Sequence, residues 1–161
     1  MRPFIAAIAL LAATSSFAHP AEAPKATAPS LAVTPAARPA AAVVDAFHAA
    51  LKRGDTNAAQ SYLAANALIY EAGGVERGRQ EYAAHHLGAD AAFAQAVPST
   101  TTRRTAEAVG NVAWIATEGR TAGTYKDQGV DRVTTETMVL RRQAGSWKIV
   151  HIHWSSAAAG K

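Results

Sequence analysis

Cysteine is absent from this chain of 161 residues. No disulfide can brace it, so its fold rests on packing alone, with or without a partner chain. Charge of one sign is also scarce: 16 Lys+Arg stand against 12 Asp+Glu, a net charge of +4, with no basic block. A nucleic-acid partner is therefore not suggested. The sequence contains no glycine-rich phosphate loop, no nucleophile elbow and no His-Glu-x-x-His run. P-loop, serine-hydrolase and zincin chemistries thus lack their signatures. Of the residues, 49% are hydrophobic, but alanine inflates that share and only 7% are aromatic. The core must come from scattered Val, Ile, Leu, Phe, Tyr and Trp, enough for one domain and not two.

What is present begins with a basic start, Met1-Arg2-Pro3, an apolar run from Phe4 to Ala13, and small residues at Ser16 and Ala18. This pattern predicts a signal peptide over residues 1–18, cut before His19, and hence an exported, periplasmic or secreted protein. The apolar run is about half the roughly twenty residues a bilayer span needs, so no stable membrane anchor is expected after cleavage. Residues 19–39 carry Pro20, Pro24, Pro29, Pro35 and Pro39 with few large apolar side chains, and read as a disordered Ala/Pro-rich linker. The folded domain is expected over residues 40–157.

Val44, Phe47 and Leu51 fall at helical spacing before Lys52-Arg53-Gly54, which marks a first helix and its stop. Asp55 caps a short second helix through Tyr62-Leu63. Leu68-Ile69-Tyr70 reads as a brief strand, and a third helix starts near Arg79 and weakens at Gly88. Four strands follow, at 99–109, 111–118, 132–140 and 147–154, with turns placed at Gly110, Gly129 and Gly145. Helices followed by a run of strands predict an α+β fold, helices on one face of a mostly antiparallel sheet.

The last strand carries apolar residues on both parities: Trp147 and Ile149 on one, Val150, Ile152 and Trp154 on the other. A strand apolar on both faces must be covered twice. That predicts a homodimer packed through the outer sheet face. His151 and His153, two residues apart, share one strand face about 6.5 Å apart. They form an alternative, metal-binding reading if His85, His48 or Glu136 supplied a third ligand. Glu71 ends a short strand beside apolar residues, where burial would raise its pKa toward that of a working acid or base. His86, one helical turn after Tyr82, is the histidine placed to share a proton with it. The pairs Arg103-Arg104 and Arg141-Arg142 read as solvated charges at the rim.

The runs Val44 to Asp55, Ala67 to Glu71 and Gly145 to Ser155 resemble the nuclear transport factor two-like, or SnoaL-like, superfamily. The resemblance covers about Ala40 to Ser156. It implies a cone: a curved, mostly antiparallel sheet wrapped around three N-terminal helices, a pocket between them, and an outer face that often dimerises. In the steroid-isomerase members it implies a general base at Glu71, an oxyanion donor at the position of Phe47, and a second at that of Thr137. The association domain of calcium/calmodulin-dependent kinase II is similar over Glu136 to Arg142 and Val150 to His153. Its pocket arginines fall on Met138 and Trp154.

The resemblance thus implies a pocket lined by Phe47, Ile69, Thr137, Ile152 and Trp154 that takes a small, largely apolar molecule. The domain either binds that molecule or performs isomerase- or dehydratase-like chemistry with no cofactor, using Glu71 assisted by His86 and Tyr82.

Overall fold

A computed structural model of the protein describes residues 29–160. The expected signal peptide lies outside the described residues, as does the linker up to residue 28. The part of the linker that is described is not a free tether. Its β1 (Ser30–Val33) pairs in parallel with Arg103 to Ala106. A single 3-10 turn, Pro35–Ala37, then buries Ala37 completely. Leu31 and Ala32 supply backbone pairing that the proline count conceals.

Helix α1 (Arg38–Lys52) buries Ala40, Val44, Phe47 and Leu51, one stripe at three- and four-residue spacing. It ends where Gly54 takes a left-handed φ of 72°. A Cβ there would lie 2.4 Å from the Gln95 side chain. Asp55 then caps α2 (Thr56–Tyr62) by accepting the Ala58 N–H at 2.9 Å. After β2 (Leu63–Glu71) and β3 (Gly74–Glu76), the expected third helix proves to be two, α3 (Arg79–His85) and α4 (Leu87–Ala96). The break falls at His86, whose φ of −117° leaves the helical region, two residues before Gly88.

The remaining chain is β4 (Ser99–Val109), β5 (Val112–Tyr125), β6 (Gln128–Gln143) and β7 (Ser146–Ala158). β4 keeps its expected bounds, whereas β5 ends later and β6 starts earlier than expected because the turn between them is not at Gly129. Gly129 pairs with Thr124, and the hairpin turns at Lys126 and Asp127, with φ of 49° and 61°. The seven-stranded sheet runs β1-β4-β5-β6-β7-β2-β3, antiparallel except for β1 with β4 and β2 with β7. It is curved and unclosed, with the helices against its inner face. The fold is the expected α+β cone, with four α-helices rather than three.

Strand β7 corrects one expectation. Val139 pairs with His151, whereas the next residue, Leu140, pairs with Ile149, leaving Val150 as an extra residue in a bulge. The bulge reverses parity, so Trp147 and Ile149 share the inner face with Ile152 and Trp154. Trp147, Ile149 and Ile152 lie in the single core, and the strand needs no second cover. Two inner rows cross the sheet. Ala113, Leu140, Ile149 and Leu63 form one, and Ala106, Ile115, Met138, Ile152 and Ile69 the next, all buried.

A candidate acid-base cavity

The row that follows these two is polar. Arg104, Thr117, Glu136, Trp154 and Glu71 are consecutive cross-strand partners over five strands. Partners across a ladder share a face, so all five point to the inner side, and all five line a cavity of about 700 Å³. Beyond them a small-residue row, Gly119, Thr134 and Ser156, continues the wall. Helix α1 contributes Asp45 and His48, and α4 contributes Ala89, Asp90 and Phe93. The cavity is therefore the place where the inward-facing positions of the same strands change from Ile, Met and Leu to hydroxyl and charged side chains.

At one end of the row, Glu71 and Asp90 both line the cavity. Burial raises the pKa of Glu71, the negative charge of Asp90 raises it further, and His86 opposes both. Asp90 is itself raised by burial, against the lowering effects of the Tyr82 hydrogen bond and of His86. The Tyr82 hydroxyl donates to Asp90 Oδ2 at 2.7 Å. Burial, then Asp90, pushes the Tyr82 phenol far above its ordinary range, so it stays protonated as a donor. Two desolvated carboxylates on one cavity, one fixed by a buried phenol, can hold and transfer a proton near neutral pH.

In the middle of the row sits Glu136. Its Oε2 accepts the Trp154 indole N–H at 2.7 Å and lies 2.8 Å from His48 Nε2. Burial alone would raise the pKa of Glu136, but the charge and hydrogen bond of His48, the Trp154 bond and the charge of Arg104 together lower it. Glu136 therefore stands as a carboxylate. Arg104 donates to Asp45 Oδ1 at 2.6 Å and to Thr117 Oγ1 at 3.2 Å, with its side chain only 13% exposed. It is a cavity side chain, not the solvated rim charge its pairing with Arg103 suggests.

The structure brings together only some of the residues singled out in the sequence. Glu71 and Trp154 line the cavity, and Tyr82 lies beneath it, reaching Asp90. His86 does not line it; its ring pairs with Glu76 and acts on Glu71 and Asp90 only through its charge. Phe47, Ile69 and Ile152 are core residues, Phe47 stacked on Trp154 at 6.4 Å. Thr137 must be moved to the other side of the sheet: paired with Ala116 and His153, it is exposed on the outer face. It neighbours Met138 in sequence, and adjacent strand residues cannot face the same way. The wall is accordingly more polar than the sequence suggests.

His151 and His153 also stand on the outer face, their ring centroids 6.5 Å apart and both edge-on to Tyr70. His151 Nδ1 lies 2.9 Å from the Leu68 carbonyl oxygen. Among the described residues of one chain, no group of three His, Cys, Asp or Glu side chains is placed to hold a metal. The sequence reading left Asp90 and Asp45 out altogether. Asp90 lies eight residues after Tyr82, across the break at His86 that separates their two helices. Glu136 shares the parity of Met138 and Leu140, a pattern that marks it as inward-facing.

Residues 40–159 match the SnoaL-like domain family, and the chain belongs to it. A provisional ketosteroid isomerase from Shewanella frigidimarina NCIMB 400 is 41% identical, over 78% of this chain and 98% of that one, with a TM-score of 0.71. A provisional dehydratase of the nuclear transport factor two-like family, from Streptomyces avermitilis, shares the fold at 20% identity. That match covers 76% of this chain and 96% of the other, with a TM-score of 0.64. The association domain of calcium/calmodulin-dependent kinase II from C. elegans does so at 17% identity, with 73% and 93% covered and a TM-score of 0.59. No curated protein matches significantly.

Proposed function

We propose that the cavity binds a small neutral molecule and that Glu71 exchanges a proton with it, as an isomerase or dehydratase would. The observation that carries this reading is the pair Glu71 and Asp90, both on the cavity wall, both partly desolvated, with Tyr82 fixing Asp90 from below. Asp90 keeps Glu71 basic and Tyr82 keeps Asp90 in place. The 41% identity to a provisional ketosteroid isomerase supports the same direction. Four carboxylates and four Lys or Arg side chains line the cavity, with His48 beside them, a near balance that suits an uncharged ligand.

The probe is a β,γ-unsaturated ketone, followed by growth of the conjugated enone's ultraviolet absorbance. The Glu71 carboxylate removes the proton from the α-carbon and returns it to the γ-carbon. Phe47 carries no hydroxyl and Thr137 stands outside, so the enolate oxygen is left to wall hydroxyls and turnover is expected to be modest. Glu71→Gln is expected to lower kcat about a hundredfold or more while binding changes little. Unchanged turnover in that variant, or no turnover by the wild type, overturns the reading.

We also infer a homodimer through the outer sheet face. The parity of β7 no longer supports it, but Trp114, 38% exposed, and Tyr70, 37% exposed, stand on that face. Leu68 and Val139 stand half-buried beside His151 there. Such contiguous apolar surface on a folded domain marks an interaction site.

A further inference from the structure

Glu136 has one satisfied oxygen and one that is not. Oε2 takes both the Trp154 and His48 nitrogens, while Oε1 is buried with no hydrogen-bond partner. The side chain is 9% exposed and lines the cavity. A buried carboxylate oxygen without a donor is costly, and such atoms in native proteins call for an explanation. Arg104 turns two of its five N–H groups to Asp45 and Thr117, and none of its donors bonds Oε1. We propose that a small turn of the Glu136 carboxylate opens Oε1 to the cavity, where it accepts a hydrogen bond from a hydroxyl group of the ligand, so that the cavity selects a neutral, hydroxyl-bearing small molecule. This rests on the cavity being the ligand site and deepens that reading by naming what the middle of the polar row, two strands from Glu71, recognises.

Position and charge both favour a hydroxyl. Glu71, Trp154 and Glu136 are successive partners on β2, β7 and β6. The two carboxylates therefore stand two strand spacings apart, about 10 Å, with the indole between them. A ligand lying over Trp154 reaches both with its two ends. A ligand carboxylate would meet Glu136 as a like charge. An ammonium would add positive charge where Arg104 and His48 already stand against that carboxylate. A hydroxyl donates without either penalty.

Titration calorimetry on the full chain tests this with matched probes, 4-phenylbutan-1-ol and its methyl ether, in which a methyl group replaces the hydroxyl hydrogen and removes the ability to donate. The alcohol is expected to bind about tenfold tighter or more, as a hydrogen bond to a charged acceptor is worth. In Glu136→Gln the preference is expected to fall to within about threefold. The amide oxygen is kept by Trp154 and His48, which leaves an NH2 donor in place of Oε1. Glu71→Gln is expected to keep the preference. The 4-phenylbutylammonium and 4-phenylbutanoate analogues are expected to bind more weakly than the alcohol.

Equal affinity of alcohol and ether for the wild type, or no binding of either, overturns the proposal. So does a preference that survives Glu136→Gln or vanishes in Glu71→Gln. If Glu136→Gln does not fold, the wild-type ratio and the Glu71→Gln ratio decide. A retained alcohol preference with full turnover in Glu71→Gln would sink the acid-base reading alone.

Discussion

Two glutamates on one cavity are tuned in opposite directions, and folding stability reports the difference. Glu136 has a folded pKa below its ordinary value of 4.5. Its charged form is favoured in the native state, so it contributes stability above about pH 4.5 that is lost as pH falls through the folded pKa. Glu71 is the reverse: its folded pKa lies above 4.5. The native state keeps that proton longer than the unfolded chain, so ionised Glu71 destabilises once pH has risen through the folded value. Thermal melts by circular dichroism should therefore show Glu136→Gln lowering Tm by several degrees at pH 7, a loss that holds down to about pH 4.5 and shrinks only below it. Glu71→Gln should raise Tm at pH 7 by a smaller amount, a gain that fades at higher pH than the Glu136 effect, as pH falls from the raised folded pKa of Glu71 to about 4.5. The same sign for both variants at neutral pH would contradict these environments.

At the scale of elements, what was legible depended on whether a local pattern decided the outcome. Helix α1 was legible because Val44, Phe47 and Leu51 repeat at helical spacing and Gly54 ends it. Glu71 was legible as the polar end of an apolar strand. The sense of β7 was not legible, because the bulge at Val150 is set by pairing with Val139 and Leu140 and leaves no mark within its own strand. His151 and His153 nonetheless stand opposite Trp154, because all three lie beyond the bulge on a regular ladder. The β5–β6 turn was missed for a related reason. Lys126 and Asp127 adopt left-handed conformations that glycine would favour, while the nearby Gly129 lies within the ladder. Asp90 was missed because its partner, Tyr82, belongs to a different helix across the break at His86.

Across the whole molecule, the sheet separates two surfaces of different chemistry. Its inner face grades from sealed apolar rows into the charged, hydroxyl-rich cavity, and its outer face presents Trp114, Tyr70, His151 and His153. If the outer face joins two copies, light scattering should give twice the chain mass, and Trp114→Asp should shift the protein to monomer with its helix and strand content intact; a wild-type monomer across a wide concentration range would remove the dimer. The cavity account turns on a single proton. Carbon-13 NMR of the Glu71 side-chain carboxyl, followed against pH in the full chain, reads it directly. The midpoint is expected above 4.5 and should move down toward that value in Asp90→Asn, because burial and the Asp90 charge are what raise it. A midpoint at or below 4.5, indifferent to Asp90, would contradict the account.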